Sequence, residues 1–317
     1  MSTNVAVLDD YQGVARTLAN WGSLGKDVNV RFFHDHVENE DELVQRLSMF
    51  EIIAIMRERT PFPRSLIQQL PKLKLIVTTG KRNASVDLAA CKERGITVCG
   101  TAGSEGSTIE LAWGLILAVV RGIPREDHGV REHRWQIAVG MELRNKTLGV
   151  VGLGRVGSQV AQIGRAFGMH IIAWSQNLTK ERAAEQGAEL VTKRQLFERA
   201  DVITIHLVLS DRTRKIVSHE ELGWMKKTAY LVNTSRGPIV DTSALIGALH
   251  AGQIAGAGID VYDHEPLPAD DPILHAPNTV LTPHLGYVAD ASYQTFYRET
   301  VEDIAAWLAG KPIRVVE

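Results

Sequence analysis

The sequence contains few cysteines and no excess of either charge, and each of these features excludes a class of protein. Its 317 residues include two cysteines, Cys91 and Cys99, in no CxxC or Cys/His spacing, so neither a disulfide framework nor a structural zinc site is predicted. Aromatic residues make up 6%, and the formal net charge is −2. A surface balanced in this way gives no electrostatic reason to expect nucleic acid or an anionic membrane as a partner.

Long apolar runs and targeting features are also missing. The longest uninterrupted apolar run, Leu111 to Val120, is about half of the roughly 20 residues that a bilayer span requires, so it predicts a buried helix. The first nine residues lack the basic region and the apolar stretch of a signal peptide, and they are typical of a strand. These absences predict a cytoplasmic protein that acts on small molecules and does not associate with membranes.

The composition that remains is that of an ordinary globular protein, with 44% hydrophobic and 23% charged residues. A single core stops growing near roughly 250 residues, so the length predicts about two domains. From Asn4 to Val98, short β-branched runs alternate with amphipathic segments, which predicts a parallel α/β unit. A second series of strands and helices begins at Thr147 and predicts a doubly wound sheet. We expect the amphipathic helix that starts at Ser292 to return to the first domain.

Three glycines, Gly152, Gly154 and Gly157, form a GxGxxG motif between an apolar strand and a helical segment that ends at Gly168. Such glycines allow a tight turn, the close approach of a pyrophosphate and close packing of helix on strand. The order of strand, glycines, helix and strand predicts dinucleotide binding. The alternative is a glycine-rich turn that binds nothing, or that binds a methyl donor.

The end of the next strand bears on the choice between NAD and NADP. The turn Ser175-Gln176-Asn177 lacks the acid that usually contacts the ribose 2′-hydroxyl, and no arginine follows it directly. Lys180 and Arg182, one turn later, either reach a 2′-phosphate or lie on a solvated helix face with Thr179 as N-cap. The cofactor is therefore predicted to be NAD or NADP, with a slight preference for NAD.

Three candidate catalytic residues follow predicted strands of the second series. Arg236 follows LVNTS, Glu265 follows GAGIDVYD, and His284 follows VLTP. Doubly wound folds bind ligands at the carboxyl ends of their strands. Hydride transfer to a 2-oxo acid needs a cation for the carboxylate, a proton donor for the carbonyl and a group that keeps this donor protonated. Each residue alone has an ordinary structural explanation, but their joint placement favours catalysis.

Four motifs in this order, VVGLGRVGSQVA, LVNTSRGPIVD, GAGIDVYDHEPLP and NTVLTPHLG, resemble the D-isomer-specific 2-hydroxyacid dehydrogenase family. This family includes D-3-phosphoglycerate dehydrogenase and glyoxylate/hydroxypyruvate reductases, and the resemblance covers nearly the whole chain. It implies an α/β protein of two doubly wound parallel-sheet domains. A Rossmann NAD(P)-binding domain, residues 101–285, is inserted into a discontinuous flavodoxin-like substrate domain, residues 1–100 and 286–317.

The resemblance also implies roles for individual residues. Arg236 would bind the substrate carboxylate and carbonyl, His284 would be the general acid/base, and Glu265 would pair with His284 and keep it charged. Asp260 would hold the nicotinamide carboxamide. Further cofactor contacts are implied for the three motif glycines and for Thr108, Arg155, Val156, Ser175, His206, Leu207, Thr213 and Thr234. Substrate contacts are implied for Arg57, Gly80, Lys81 and Arg82, and homodimers for the nucleotide domains, with residues 121–135 at the interface.

One departure from the family concerns the substrate. Family members often show GVGVDNID where this chain has Gly80-Lys-Arg-Asn-Ala-Ser-Val-Asp87. Lys81 and Arg82 either turn toward the substrate, in which case a dianionic 2-oxo acid is preferred, or point into solvent. A rival function is a dinucleotide-sensing binding protein or corepressor on the same fold, whereas a hydrolase or methyltransferase would need another set of reactive residues. The favoured prediction is an NAD(P)-dependent D-2-hydroxyacid dehydrogenase.

Overall fold

A computed structural model describes residues 2–104 and 106–316 of the chain. The chain divides into two compact units, unit 1 (Met1–Ser104 and Val288–Glu317) and unit 2 (Glu105–Tyr287). Each unit is built from a parallel sheet and helices. The predicted fold class, two parallel-sheet α/β domains, is confirmed.

The sheet of unit 1 has five parallel strands in the order β2-β1-β3-β4-β5. The strands are β1 (Thr3–Val7), β2 (Val28–Phe32), β3 (Ile52–Ile55), β4 (Leu75–Thr78) and β5 (Thr97–Gly100). All residues of β3 and β4 are buried, as expected for continuous apolar runs in a parallel sheet covered on both faces. The order is flavodoxin-like, with its reversal between β1 and β3.

Four short helices connect these strands: α1 (Ala15–Leu18), α2 (Glu40–Leu47), α3 (Arg64–Gln69) and α4 (Leu88–Glu93). Helix α2 begins at Asn39, whose side chain accepts a hydrogen bond from the Glu42 amide. The side chain of Asp87 accepts from the Ala90 amide at the start of α4. Each cap satisfies an amide that a helix leaves without a partner, which defines where these helices start.

The sheet of unit 2 has seven parallel strands in the order β12-β11-β10-β9-β6-β7-β8. They are β6 (Thr147–Val151), β7 (His170–Trp174), β8 (Glu189–Leu190), β9 (Val202–Ile205), β10 (Tyr230–Asn233), β11 (Gly256–Ile259) and β12 (Thr279–Leu281). This is the Rossmann order with one extra strand, and it reverses between β6 and β9. The last residues of β9, β10, β11 and β12 lie in register, so the segments that follow them leave the sheet side by side.

Seven helices belong to unit 2: α5 (Gly106–Arg121), α6 (Ile123–Arg131), α7 (Arg155–Ala166), α8 (Lys180–Glu185), α9 (Lys193–Arg199), α10 (His219–Trp224) and α11 (Thr242–His250). The apolar run predicted as a buried helix lies in α5, half of whose residues are buried. No single helix in the described ranges is long and apolar enough to cross a membrane. Only α5 and α6 taken together, bent by 60°, meet the criteria of length and composition.

The last helix, α12 (Asp290–Leu308), belongs to unit 1. It buries Tyr293, Phe296 and Tyr297 in that unit. The residues after it pair with β5, because the Gly100 amide donates to the Arg314 carbonyl at 3.0 Å and Val316 donates to Val98 at 2.8 Å. The pairing is antiparallel, and sequence analysis did not predict it.

Candidate active site

The loop that carries Arg236 is shaped by side chains at the end of β10. The Asn233 side chain accepts from the Ser235 amide at 3.0 Å and donates to the Arg236 carbonyl at 3.0 Å. The Ser235 hydroxyl donates to the Ile205 carbonyl at the end of β9, at 2.7 Å. A Cβ atom at Gly237 would lie 2.1 Å from the Tyr262 carbonyl carbon, so only glycine allows the two loops to meet. Half-buried Arg236 is thereby held next to the segment that follows β11.

Glu265 and His284 form a direct pair. The His284 Nδ1 lies 2.5 Å from the Glu265 Oε2, and the two side chains are 16% and 26% exposed. The Tyr262 amide donates to the other carboxylate oxygen of Glu265 at 2.9 Å, which fixes the carboxylate in place. Because Nδ1 is occupied by this contact, Nε2 is the imidazole atom left for a reacting group.

Asp260 anchors the backbone around His284. Its carboxylate accepts from the Thr282 hydroxyl at 2.6 Å and from the amides of Leu285 and Gly286 at 2.7 and 2.9 Å. The His284 amide donates to the Asp260 carbonyl at 2.9 Å. Asp260 is fully buried, and this burial raises the pKa of its carboxyl group. The bonds hold His284 at φ +53°, a left-handed conformation that few residues adopt.

The start of α5 contacts the same loop. The hydroxyls of Ser107 and Thr108 both donate to the Gly286 carbonyl, at 2.9 and 2.7 Å. Thr108 was predicted as a cofactor contact, and in the structure its hydroxyl holds the loop after His284. Gly286 is therefore hydrogen-bonded at both its amide and its carbonyl.

The glycine motif of unit 2 fits a dinucleotide. A Cβ atom at Gly152 would lie 2.6 Å from the His206 carbonyl oxygen, and one at Gly157 would lie 2.1 Å from the Gly152 oxygen, so neither position admits a side chain. A Cβ atom at Gly154 would meet nothing within 4 Å, so this backbone borders open space. Gly154 is the N-cap of α7, whose first residue is exposed Arg155. An open helix N-terminus of this kind is an anion site suited to a pyrophosphate.

The other predicted cofactor residues lie along the same edge of the sheet. Burial lowers the pKa of His206, just after β9, to about 4, so its imidazole is neutral at pH 7. The Thr213 hydroxyl donates to the Val208 carbonyl at 2.7 Å and closes the turn after β9. Thr234, after β10, is buried, and its hydroxyl has no hydrogen-bond partner among residues 2–104 and 106–316. Leu207, Val156 and Ser175 are each half-buried.

The turn after β7, which is predicted to contact the ribose of the dinucleotide, is polar and exposed. Gln176 and Asn177 are exposed, as are Lys180 and Arg182 on α8. The Thr179 hydroxyl accepts from the Arg182 amide at 3.3 Å, so Thr179 is the N-cap of this helix. The exposure of both cations fits a solvated helix face.

The four predicted substrate residues belong to unit 1. Arg57 follows β3 with φ +51°, and Gly80 follows β4 with φ +92°. The Arg57 side chain packs over Gly80, since a Cβ atom there would lie 1.9 Å from the guanidinium Nη1. Asn83 donates to the Arg57 carbonyl at 2.6 Å and supports this arrangement. Lys81 and Arg82 are both exposed.

The D-isomer specific 2-hydroxyacid dehydrogenase NAD-binding domain model matches residues 113–286, which is more than half of the chain. The chain belongs to the D-isomer specific 2-hydroxyacid dehydrogenase family. It is thus an oxidoreductase that transfers a hydride between a nicotinamide dinucleotide, NAD or NADP, and a 2-hydroxy or 2-oxo acid. This confirms the predicted reaction class.

Relatives of this dehydrogenase differ in substrate and length. A glyoxylate reductase from Aeropyrum pernix is 40% identical over 259 residues, which are 78% of this chain and 76% of the relative. A D-3-phosphoglycerate dehydrogenase from Methanocaldococcus jannaschii is 37% identical over 276 residues, or 86% of this chain. This chain spans about half of that relative's length, since the match covers 52% of it.

Solved structures support the same family. A phosphoglycerate oxidoreductase from Vibrio cholerae has a TM-score of 0.92 and 38% identity, covering 98% of this chain and 100% of the other. A D-lactate dehydrogenase from Aquifex aeolicus, complexed with NAD and lactic acid, has a TM-score of 0.79 and 28% identity, covering 99% and 100%. These relatives give no support to the alternative of a binding protein or corepressor.

Sequence reasoning missed several residues that build this dehydrogenase site. Asn233, Gly237, Tyr262 and Ser107 shape the loops but carry no catalytic chemistry of their own. Gly237 was detectable, because a glycine directly after a candidate catalytic arginine indicates close backbone approach. The sequence did not indicate a role for the Ser107 hydroxyl, since a serine at the start of a helix is common.

Proposed function

We propose that Arg236, Glu265 and His284 carry out the proton transfer and the substrate binding of this dehydrogenase. The observation that carries the proposal is the 2.5 Å contact between His284 Nδ1 and Glu265 Oε2. During reduction, Nε2 of the charged imidazole gives its proton to the carbonyl oxygen of the 2-oxo acid. Arg236 binds the substrate carboxylate. Glu265 stabilises the charged imidazole and holds its Nε2 toward the substrate.

We also propose how the chain binds its cofactor, which supplies or takes up the hydride when bound. The amides at Gly154 and Arg155 hold the pyrophosphate at the start of α7, and Gly152 and Gly157 keep the backbone close enough. The remaining predicted cofactor residues lie on the same edge of the unit 2 sheet, namely Val156, Ser175, Thr108, His206, Leu207, Thr213, Thr234 and Asp260. Because the Ser175 turn has neither an acid nor a bidentate arginine, we expect a modest preference for NADH over NADPH.

The decisive experiment replaces the proposed proton donor. His284→Asn should lower kcat for 2-oxo acid reduction by about 10²-fold or more, because general acid–base catalysis is worth roughly 10²–10⁴. NADH oxidation measures the rate, and quenching of protein fluorescence by NADH measures cofactor binding, which should stay intact. His250→Asn on α11 is the matched control, since His250 is exposed and outside the proposed site. Unchanged turnover in His284→Asn would remove His284 from the mechanism.

The substrate is proposed to be a 2-oxo acid with a second anionic group. Support comes from the cations Lys81 and Arg82, both exposed and directly after Gly80, in addition to Arg57. A charged contact is worth roughly 1.5–3 kcal/mol, so kcat/KM should favour a dianionic over a matched monoanionic 2-oxo acid by about tenfold or more. Both classes should be tested in wild type and in Arg82→Ala. Equal kcat/KM values for the two classes would assign these cations to the solvated surface.

The domain roles, quaternary structure and location are proposed on the family resemblance. Residues 101–285 form the NAD(P)-binding domain, and residues 1–100 and 286–317 form the substrate domain. Two chains associate through their nucleotide domains with residues 121–135 at the interface. The protein acts in the cytoplasm on small acids, without nucleic acid or membrane as a partner.

A further inference from the structure

Tyr287 contacts the imidazole of His284, and nothing in the chemistry described above uses it. The two ring centroids lie 5.1 Å apart with an interplanar angle of 68°, which is an edge-to-face arrangement. Tyr287 is 8% exposed, although it lies only three positions beyond the half-buried histidine. A large buried ring is thus packed against the residue that we propose as proton donor.

The imidazole needs a second constraint besides its carboxylate partner. The contact with Glu265 fixes the Nδ1 atom, but the torsion between Cβ and the ring of a histidine is intrinsically broad. A turn about this torsion displaces Nδ1 and weakens its contact with Glu265, so a single hydrogen bond is all that this pair offers against movement of Nε2 away from the reacting oxygen. The edge-to-face contact with Tyr287 acts on the ring itself. We propose that Tyr287 is a positioning residue that holds the His284 imidazole in its proton-transfer orientation.

Tyr287 can act as a rigid support because the backbone before it is fixed. The Gly286 amide donates to Asp260, and the Gly286 carbonyl accepts from Ser107 and Thr108. The Leu285 amide also donates to Asp260. The backbone directly before Tyr287 is therefore held at several points, which limits how far the tyrosine ring can shift if the imidazole turns.

The kinetic test separates the ring of Tyr287 from its hydroxyl. Misplacing a reacting group by about 1 Å costs on the order of 10²-fold in rate, so Tyr287→Ala should lower kcat by about tenfold or more. Tyr287→Phe keeps the ring and should stay within about twofold of wild type, since the edge-to-face contact is retained. The dissociation constant of NADH should not change in either variant.

The matched control is Phe167→Ala, which removes another aromatic contact of unit 2, the 4.8 Å stacking on Trp113. It should leave kcat unchanged. Tyr287→Leu keeps much of the buried volume and repeats the test if Tyr287→Ala does not fold. A kcat for Tyr287→Ala equal to that of wild type would overturn the proposal. So would an equal loss in Tyr287→Phe, because the hydroxyl would then be the active part.

A second readout needs no turnover, which matters because the proposal rests on the function assigned to His284. The proton between His284 Nδ1 and Glu265 should give a downfield nuclear magnetic resonance signal in the resting protein, since the two atoms lie 2.5 Å apart. This signal should persist in Tyr287→Phe and broaden or vanish in Tyr287→Ala, with Glu265→Gln identifying it by its loss. A sharp, unshifted signal in Tyr287→Ala would contradict the positioning role. If wild type reduced no 2-oxo acid, the proposed function would fail and the resonance would still decide the role of Tyr287.

Discussion

At the scale of single residues, the contact between Glu265 and His284 makes a prediction about pH. In the proposed mechanism the His284 imidazole donates the proton during reduction, and its Nδ1 lies 2.5 Å from the Glu265 carboxylate. Glu265→Gln removes the charge and keeps the shape. Because a neutral amide attracts a cationic ring less than a carboxylate does, the falling limb of kcat/KM for reduction should move toward acid.

This shift is measured by pH–rate profiles of wild type and Glu265→Gln with a saturating cofactor concentration. Asp263→Asn is the matched control, because Asp263 is an exposed acid on the same loop that contacts Thr242 at 3.1 Å. Its profile should match that of wild type. If the profile of Glu265→Gln also matches, the carboxylate does not stabilise the charged imidazole.

The sequence indicates the three candidate catalytic residues but not the contacts that hold them in place. Arg236, Glu265 and His284 were detectable because each follows a strand and has a side chain suited to the reaction. The family resemblance predicts that Asp260 holds the nicotinamide carboxamide. Its full burial and its bonds to Thr282 and to two loop amides depend on the left-handed backbone of His284. The sequence does not show which non-glycine residues take this conformation, since only about a few per cent of them do.

At the scale of elements, three neighbouring strands of unit 1 are each followed by a residue with a positive φ angle. Asp9, Arg57 and Gly80 each come two residues after the end of β1, β3 or β4, and their φ angles are +57°, +51° and +92°. Two of the three are not glycine, and such strained backbone is characteristic of functional sites.

Gly80→Ala tests whether the close contact with Gly80 positions Arg57. The new Cβ atom would lie 1.9 Å from the Arg57 Nη1, so the guanidinium must leave its place. If Arg57 contacts an anionic group of the substrate, KM for the 2-oxo acid should rise by about tenfold or more, because a charged hydrogen bond is worth roughly 1.5–3 kcal/mol. The KM for NADH should stay unchanged.

Gly95→Ala provides the matched control for backbone strain. Gly95 has φ +68°, and a Cβ atom there would meet nothing within 4 Å, so it carries the same penalty without touching Arg57. Both variants should lose thermal stability, but only Gly80→Ala should raise KM. If the two variants had equal KM values for the 2-oxo acid, Arg57 would not take part in substrate binding.

The carboxyl group of Asp303 on α12 gives a prediction for stability. It is fully buried, and burial raises its pKa from 3.8 to about 7, although Arg314 Nε lies 2.9 Å from it. The folded state therefore binds more protons than the unfolded chain between these two values. The contribution of the Asp303 carboxyl group to the free energy of unfolding is fully present below about pH 3.8 and is lost as pH rises through about 7.

Asp303→Asn should remove this dependence, because the amide does not ionise and its oxygen can still accept from Arg314. Urea unfolding of both proteins from pH 4 to 9 measures the effect. The difference in unfolding free energy, wild type minus variant, should fall between about pH 4 and 7 and level off above. A difference that does not vary with pH would show that Asp303 is ionised throughout.

The sequence predicted where the strands lie better than it predicted which segments pair with each other. The runs IIAIMR and KLIVTTG, which contain β3 and β4, were predicted as strands because they are short and rich in β-branched residues. The antiparallel pairing of Val315 with Cys99 was not predictable, since the short segment around Val315 has no period. Pairing across so many residues depends on where α12 directs the chain, which is a tertiary property.

At the scale of the whole molecule, exposed apolar side chains concentrate in one stretch of unit 2. Ile123, Val130 and Trp135 are 53%, 52% and 78% exposed, and Val139 is fully exposed. Clustered apolar exposure of this kind marks interaction surfaces. We predict a particle of about twice the 34.9 kDa chain mass in solution.

Light scattering after size-exclusion chromatography measures this mass. Trp135→Asp combined with Val139→Asp should reduce it to that of a single chain, since burying two new charges at an interface is unfavourable. Met49→Asp, at an exposed apolar residue of unit 1, should leave the mass unchanged. A single-chain mass for wild type would contradict the proposed dimer.

The division of unit 1 into two chain segments affects how the protein is made. Its first 104 residues emerge from the ribosome before unit 2, whereas Phe296 and Tyr297 of α12 emerge after it. At roughly 5–20 residues per second, the interval is on the order of ten seconds or longer. During that time unit 2 has every strand and helix of its own core, while the apolar surface that α12 covers in unit 1 is exposed to chaperones and proteases. Unit 1, whose synthesis begins first, is therefore the last to be completed. Substitutions that weaken the packing of α12 should reduce the yield of folded protein in cells before they affect the catalytic rate of the folded enzyme.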